Sequence, residues 1–113
     1  MARSVAIVFV PDAAPVLRKL AFRSPVWLVD TPANRAAAEE VSHDAVEWPH
    51  ISITMFREDD ELHTLLDQIS LREGAVDAID VVGSSLTPAS REVLGAAGFS
   101  RVDATSDGLR ARR

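Results

Sequence analysis

The alternation of short apolar runs with helix-like segments constrains this chain more than any other feature. Residues 5–10, 25–29, 51–55 and 78–82 form apolar runs that are too short for helices and rich in Val and Ile. The segments between them repeat apolar residues at spacings of three and four. This alternation is typical of an α/β fold with a mostly parallel sheet.

Capping residues mark the predicted helix starts. Thr31 and Thr87 are each followed by a proline, which predicts a threonine N-cap with proline at the first helical position. Asp12, three residues before Pro15, predicts a third capped start. The most regular helical spacing covers residues 62–69.

The polarity of the strands predicts their order in the sheet. The runs at 5–10 and 25–29 are apolar throughout and are expected inside the sheet, whereas 51–55 and a fifth run at 99–105 alternate and are expected at its edges. We therefore expect a small, single-domain, Rossmann-like three-layer α/β sandwich. Its mostly parallel five-stranded sheet has the order 3-2-1-4-5, with the flavodoxin-like order 2-1-3-4-5 as the alternative.

The C-terminal residues allow two interpretations. The sequence Ser106-Asp107-Gly108 is a turn signal. Residues 106–113 therefore either fold back as a short edge strand, completing a β-hairpin, or form a flexible basic tail. The α/β domain itself is expected to cover residues 1–105, since 113 residues suit one domain.

The preferred order also predicts a ligand site. The crossovers reverse direction between strands 1 and 4, and open α/β sheets bind ligands beyond the carboxyl ends of the strands at such a point. The candidate ligand-binding residues there are Asp12, Gly83, Ser84, Ser85 and Thr87. Hydroxyl groups and helix N-termini suit a small anionic ligand. A connecting loop with a threonine cap is the other interpretation of the same residues.

A second candidate site is the edge strand at 51–55. An unpaired edge can add a strand from a second copy or from another protein. The candidate interface residues are Trp48, His50, Ser52 and Thr54. The chain has a net charge of −5, and residues 58–100 carry nine acidic side chains and two arginines. This charge favours self-association with the basic C-terminal end, or a basic protein partner.

The composition excludes several function classes. Without cysteine, the chain has no disulfide, thiolate metal site or cysteine nucleophile. Its acidity argues against nucleic acid as a partner, and no motif indicates a metal or another cofactor. The longest apolar run is too short for a signal peptide or a membrane span, so we expect a cytoplasmic protein without membrane contact.

Binding is the function that these observations favour. Because no catalytic motif is present, we expect a binding protein rather than an enzyme. Protein contacts, through self-association or a partner, are the preferred interpretation. The alternative is a ligand-binding or enzymatic site for a small anion at the ends of strands 1 and 4.

Overall fold

In the part of the chain that the structure describes, six strands and four helices alternate until the last two strands, which are consecutive. The computed structural model describes residues 3–44, 51–84 and 87–113. The elements, in chain order, are β1 (Ser4–Val8), α1 (Ala14–Arg23), β2 (Val26–Val29), α2 (Pro32–Asp44), β3 (Ile53–Phe56), α3 (Leu62–Glu73), β4 (Ala78–Val82), α4 (Pro88–Ala96), β5 (Arg101–Ala104) and β6 (Gly108–Arg112).

The strands form one sheet in the order β3-β2-β1-β4-β6-β5. Strands β1 to β4 pair in parallel, and β6 is antiparallel to both of its neighbours. The predicted α/β class, the mostly parallel sheet and the run 3-2-1-4 are confirmed. The expected contact between strands 4 and 5 is wrong, as is the alternative order 2-1-3-4-5, and the sheet has six strands rather than five.

The C-terminal segment causes this difference. Residues 101–112 form a hairpin, which is one of the two alternatives that the sequence left open, but β6 lies inside the sheet between β4 and β5 instead of at its edge. Gly108 is opposite Val82, and a Cβ atom at Gly108 would overlap the carbonyl oxygen of Val81. The inserted strand is also held by Arg110, whose Nη1 donates to both carboxylate oxygens of Asp80 at 2.9 and 3.0 Å. This ion pair explains the single charged residue in the apolar strand β4.

Apolar clusters on the two faces of the sheet give the fold its three layers. In β1, Val5 and Ile7 face the cluster that contains α3 and α4, whereas Ala6 and Val8 face the cluster that contains α1 and α2. The continuous apolar sequence of β1 is therefore explained by burial on both faces.

The α1 and α2 layer covers only part of its face. Its apolar cluster ends at Val82 of β4 and includes no residue of β5 or β6. Beyond that point the same face of the sheet carries a group of charged side chains that are partly or fully exposed. These are Asp80, Arg101, Asp103, Arg110 and Arg112.

Within the described ranges, none of the helices has both the length and the apolar composition that crossing a bilayer requires.

Candidate functional site

On the α1 and α2 face, a buried asparagine fills the space beyond β1 and β2. Asn34 is completely buried. Its Nδ2 donates to the carbonyl oxygens of Val10 at 2.9 Å and Val29 at 3.0 Å, and its Oδ1 accepts from the Ala13 amide at 2.7 Å. The side chain thereby satisfies three backbone groups that would otherwise be buried without partners.

Thr31 completes this arrangement as the N-cap of α2, as its sequence predicted. Its Oγ1 accepts from the Asn34 amide at 3.1 Å and donates to the Pro11 carbonyl at 2.5 Å. Asp12 is exposed, and its Oδ1 accepts from the Ala14 amide at 3.2 Å. The N-cap of α1 is Ala13 rather than Asp12, so the sequence placed this cap one residue too early. On this face, Thr31 and Asn34 hold the loop after β1 against the start of α2.

The opposite face of the same sheet edge contains a cavity of about 230 Å³, here named the α3–α4 cleft. It lies between the N-terminal turns of α3 and α4. Its lining combines apolar side chains from five elements or their ends with a few polar groups: Phe9, Glu61, Leu62, His63, Val81, Ser84, Ala89, Ser90, Val93 and Leu109. Phe9 is held edge-on against Phe56, with ring centroids 5.3 Å apart.

The cleft carries three kinds of polar group. Among the described residues, no side-chain partner satisfies the hydroxyl of Ser84, which is half-buried. The Ser90 hydroxyl is already engaged, since it accepts from the Thr87 amide at 2.9 Å and donates to the Thr87 carbonyl at 2.9 Å. On α3, His63 Nδ1 lies 3.1 Å from Glu61 Oε2. His63 therefore pairs with Glu61, the residue that precedes α3.

Gly83 has a structural role beside the cleft. Its φ is +85°, and a Cβ there would lie 2.6 Å from Val10 Cγ2. Its amide donates to the Asp107 carbonyl at 2.7 Å, which ties the end of β4 to the β5–β6 turn. The close approach that glycine permits at this position is therefore to the protein's own backbone and to Val10.

Those predicted ligand-binding residues that the structure describes are thus separated by the fold. Ser84 lines the α3–α4 cleft, Gly83 lies behind it, and Thr87 caps α4 by accepting from the Ser90 amide at 3.1 Å. Asp12 belongs to the other face of the sheet. Ser85 lies outside the described residues.

The predicted interface residues are described only in part. Strand β3 lies at the end of the sheet, as expected for an edge strand. Ser52 and Thr54 are half-buried, and Arg72 Nη1 approaches Thr54 Oγ1 at 3.4 Å. Trp48 and His50 lie outside the described residues.

An ion pair lies at the carboxyl end of β2. The guanidinium of Arg35 donates to both carboxylate oxygens of Asp30, at 2.5 and 2.9 Å. These hydrogen bonds hold the pKa of Asp30 below its ordinary value, and they raise the pKa of Arg35.

Most of the residues that line the cleft could not be identified as site residues from the sequence. The pattern of apolar residues places Phe9 on a strand and Leu62 and Val93 on helices. A linear pattern identifies apolar positions but not those that meet at one opening. Leu62 carried the best signal, since it begins the most regular helix and therefore lies near the carboxyl edge of the sheet. Compared with family models, with curated proteins and with solved structures, this chain matches none.

Proposed function

We propose that this protein binds a small, largely apolar carboxylate in the α3–α4 cleft. The observation that carries the proposal is the convergence of Phe9, Leu62 and Val93, all only half-buried, above a floor of buried Val81 and Leu109. Apolar side chains that meet in a concave opening beside a few polar groups are the usual lining of a ligand site.

The dimensions of the cleft limit the ligand. Its volume of about 230 Å³ is below the ~300–1,000 Å³ of sites for drug-sized molecules. The proposed ligand is therefore a short aliphatic or single-ring acid, with its apolar part against Phe9 and Val93.

The polar groups favour a carboxylate at the other end of the ligand. The N-cap residue of α3, Glu61, makes no hydrogen bond to the helix with its side chain, so the first-turn amides keep their capacity to donate. The helix dipole adds a partial positive charge at Leu62 and His63. This charge must outweigh the carboxylate of Glu61, which lines the same cleft with its Oε2 3.1 Å from His63 Nδ1. The Ser84 hydroxyl offers a further donor on the opposite wall.

A series of linear carboxylates from butanoate to octanoate tests this proposal by NMR titration. We expect shifts of the amides of Phe9, Leu62 and Val93, and an affinity that rises up to about fourfold per added methylene until the cleft is full. Ser84→Ala should weaken binding about five- to tenfold through the lost hydrogen bond. Val93→Phe should fill the cleft and abolish binding, whereas Ser42→Ala on the exposed surface of α2 should change nothing.

Shifts confined to another surface would overturn the proposal, and so would an affinity that does not depend on chain length. A native mass spectrum of protein purified from its own host gives an independent result. A bound species of small mass that Val93→Phe removes would support the proposal and identify the ligand.

A second candidate function is protein binding at β3, favoured by the position of this strand at the sheet end. The Val26 amide donates to the Ser52 carbonyl, and the Asp30 amide donates to the Phe56 carbonyl. By the alternation of strand backbone groups, Ile53 and Met55 direct their amides away from β2. These amides are the ones a partner strand would engage.

Proline substitutions test this second candidate. Met55→Pro removes an outward amide and should abolish binding of a partner strand, with only a small decrease in the free energy of unfolding. Thr54→Pro is the matched control, since it removes an amide that faces β2 and should mainly destabilise the fold. If the Met55→Pro variant still binds the partner protein, the hypothesis that β3 binds a partner strand is wrong. We keep the cytoplasm as the expected compartment for either function.

A further inference from the structure

The outer edge of β5 has a charge pattern that fits a second copy of the same strand. β5 is the last strand of the sheet on that side, and Arg101 and Asp103 project exposed from the same face. Within the described part of the chain neither side chain forms an ion pair. The cross-strand neighbour of Arg101 on β6 is Arg112, a like charge, which is an unfavourable pairing.

The backbone groups of β5 point in the required direction. The Thr105 amide donates to the Gly108 carbonyl within the hairpin, at 2.9 Å. In an antiparallel ladder, alternate residues face opposite neighbours, so Arg101 and Asp103 also direct their backbone groups towards β6. Val102 and Ala104 therefore present their amides and carbonyls to the open edge.

We propose that two copies of this protein associate through β5, antiparallel about a two-fold axis, with Val102 opposite Val102 of the second copy. Each Arg101 then lies opposite Asp103 of the other copy, on the same face of the joined sheets. About six backbone hydrogen bonds can form across the edge in this register. The second copy supplies the carboxylate that Arg101 lacks within its own sheet, and each Asp103 lies between Arg110 and the incoming Arg101.

Neighbouring registers are disfavoured by the same residues. A shift of two residues places Arg101 opposite Arg101, or Asp103 opposite Asp103, so that like charges oppose each other. A shift of one residue places buried Val102 opposite charged Asp103, which mismatches the faces of the sheets. Strand β3 contains no charged residue, so its edge offers no comparable selection of a register. The charges on β5 thus select one arrangement.

Charge substitutions at these exposed positions test the proposal by analytical ultracentrifugation. Wild-type protein should sediment at twice the 12.2 kDa mass of the chain. Arg101→Glu alone, or Asp103→Arg alone, places like charges opposite each other at both ion pairs, and each should raise the dissociation constant about tenfold or more. The double variant Arg101→Glu/Asp103→Arg should restore it. An equimolar mixture of the two single variants should also associate, because every opposing pair is then complementary.

Hydrogen exchange locates the interface independently. Association should protect the amides of Val102 and Ala104, which Arg101→Glu should leave unprotected, while the Thr105 amide stays protected in both. A monomeric wild-type protein at its highest soluble concentration would overturn the proposal. A dimer that either single variant leaves unchanged would do the same, and so would a mixture of the single variants that remains monomeric. Met55→Pro should leave the dimer intact, which separates this interface from the β3 edge.

Discussion

At the scale of single residues, two glycines allow strands and loops to approach where a side chain would not fit. Gly83 has a positive φ and contacts Val10, whereas Gly108 has no unusual φ but lies against the Val81 carbonyl. Gly83 is required both for its positive φ and for the lack of a side chain, whereas Gly108 is required only for the lack of a side chain. The sequence Asp107-Gly108 predicted a turn because glycine adopts a positive φ easily. In the structure, glycine is needed at position 108 because a Cβ atom would overlap the Val81 carbonyl.

Gly108→Ala should therefore destabilise the protein strongly. The added Cβ would overlap the backbone of the neighbouring strand β4, which cannot move aside as the end of a flexible side chain could. We therefore expect a loss of about 2–4 kcal/mol in the free energy of unfolding. Gly95→Ala is the matched control, because nothing lies within 4 Å of its Cβ position in α4. That change should stabilise the protein by about 0.5–1 kcal/mol. Urea denaturation of both variants gives the comparison, and equal effects would contradict this reading of Gly108.

The Asp30–Arg35 pair makes a pH-dependent prediction. Because the pKa of Asp30 is lower in the folded state than in the unfolded state, the pair stabilises the fold above the unfolded pKa. This contribution is lost as the pH falls through the folded pKa. Arg35→Ala should raise the pKa of Asp30 towards its ordinary value and weaken the loss of stability in acid. An NMR titration of the Asp30 carboxyl carbon measures this, with Arg91→Ala as a control that should leave the titration unchanged.

At the scale of elements, the hairpin β5–β6 shows that strand polarity does not always indicate the position of a strand in the sheet. Alternation of Leu109 and Ala111 with arginines is typical of an edge strand, yet β6 lies inside the sheet. The polar side of β6 is tolerated because α1 and α2 do not extend over it, so Arg110 keeps partial access to water and pairs with Asp80. A strand can therefore lie inside this sheet although one of its two faces is polar.

The Asp80–Arg110 pair should contribute to the stability of this insertion. Both side chains are about one-third exposed, so solvent screens them, and we expect a coupling energy of about 1 kcal/mol. A double-mutant cycle with Asp80→Asn and Arg110→Gln measures it by urea denaturation. A parallel cycle that replaces Arg110→Gln with Arg112→Gln should give no coupling. Additive effects of the first pair of substitutions would show that the ion pair does not stabilise the fold.

At the scale of the whole molecule, the two helical layers cover the sheet unequally. The cluster on the α3 and α4 side extends from Phe56 of β3 to Val102 of β5 and so spans the sheet. The cluster on the other side ends at β4. The open half-face and the α3–α4 cleft are both consequences of how the layers are placed, and neither depends on a sequence motif.

Removal of residues 106–113 should therefore unfold the protein, although the sequence allowed these residues to be a tail. The deletion removes β6, separates β4 from β5, and exposes buried Ile79, Val81 and Val102 to water. We expect loss of the cooperative thermal transition, measured by circular dichroism. Leu71→Ala changes a side chain that is 88% exposed. This variant should still unfold cooperatively, with a free energy of unfolding within about 0.5 kcal/mol of the wild-type value. A truncated chain that still unfolds cooperatively would show that β6 is dispensable.

The sequence by itself determined the α/β class, the run of strands 3-2-1-4 and the threonine caps of α2 and α4. Each of these follows from local properties: apolar period, strand polarity, and a hydroxyl beside a proline. Only the tertiary structure decided that Asn34 fills one side of the crevice, that Phe9, Leu62 and Val93 open the other, and that β6 lies between β4 and β5. These outcomes depend on which distant side chains meet when the layers pack, and periodicity along one segment carries no information about that meeting.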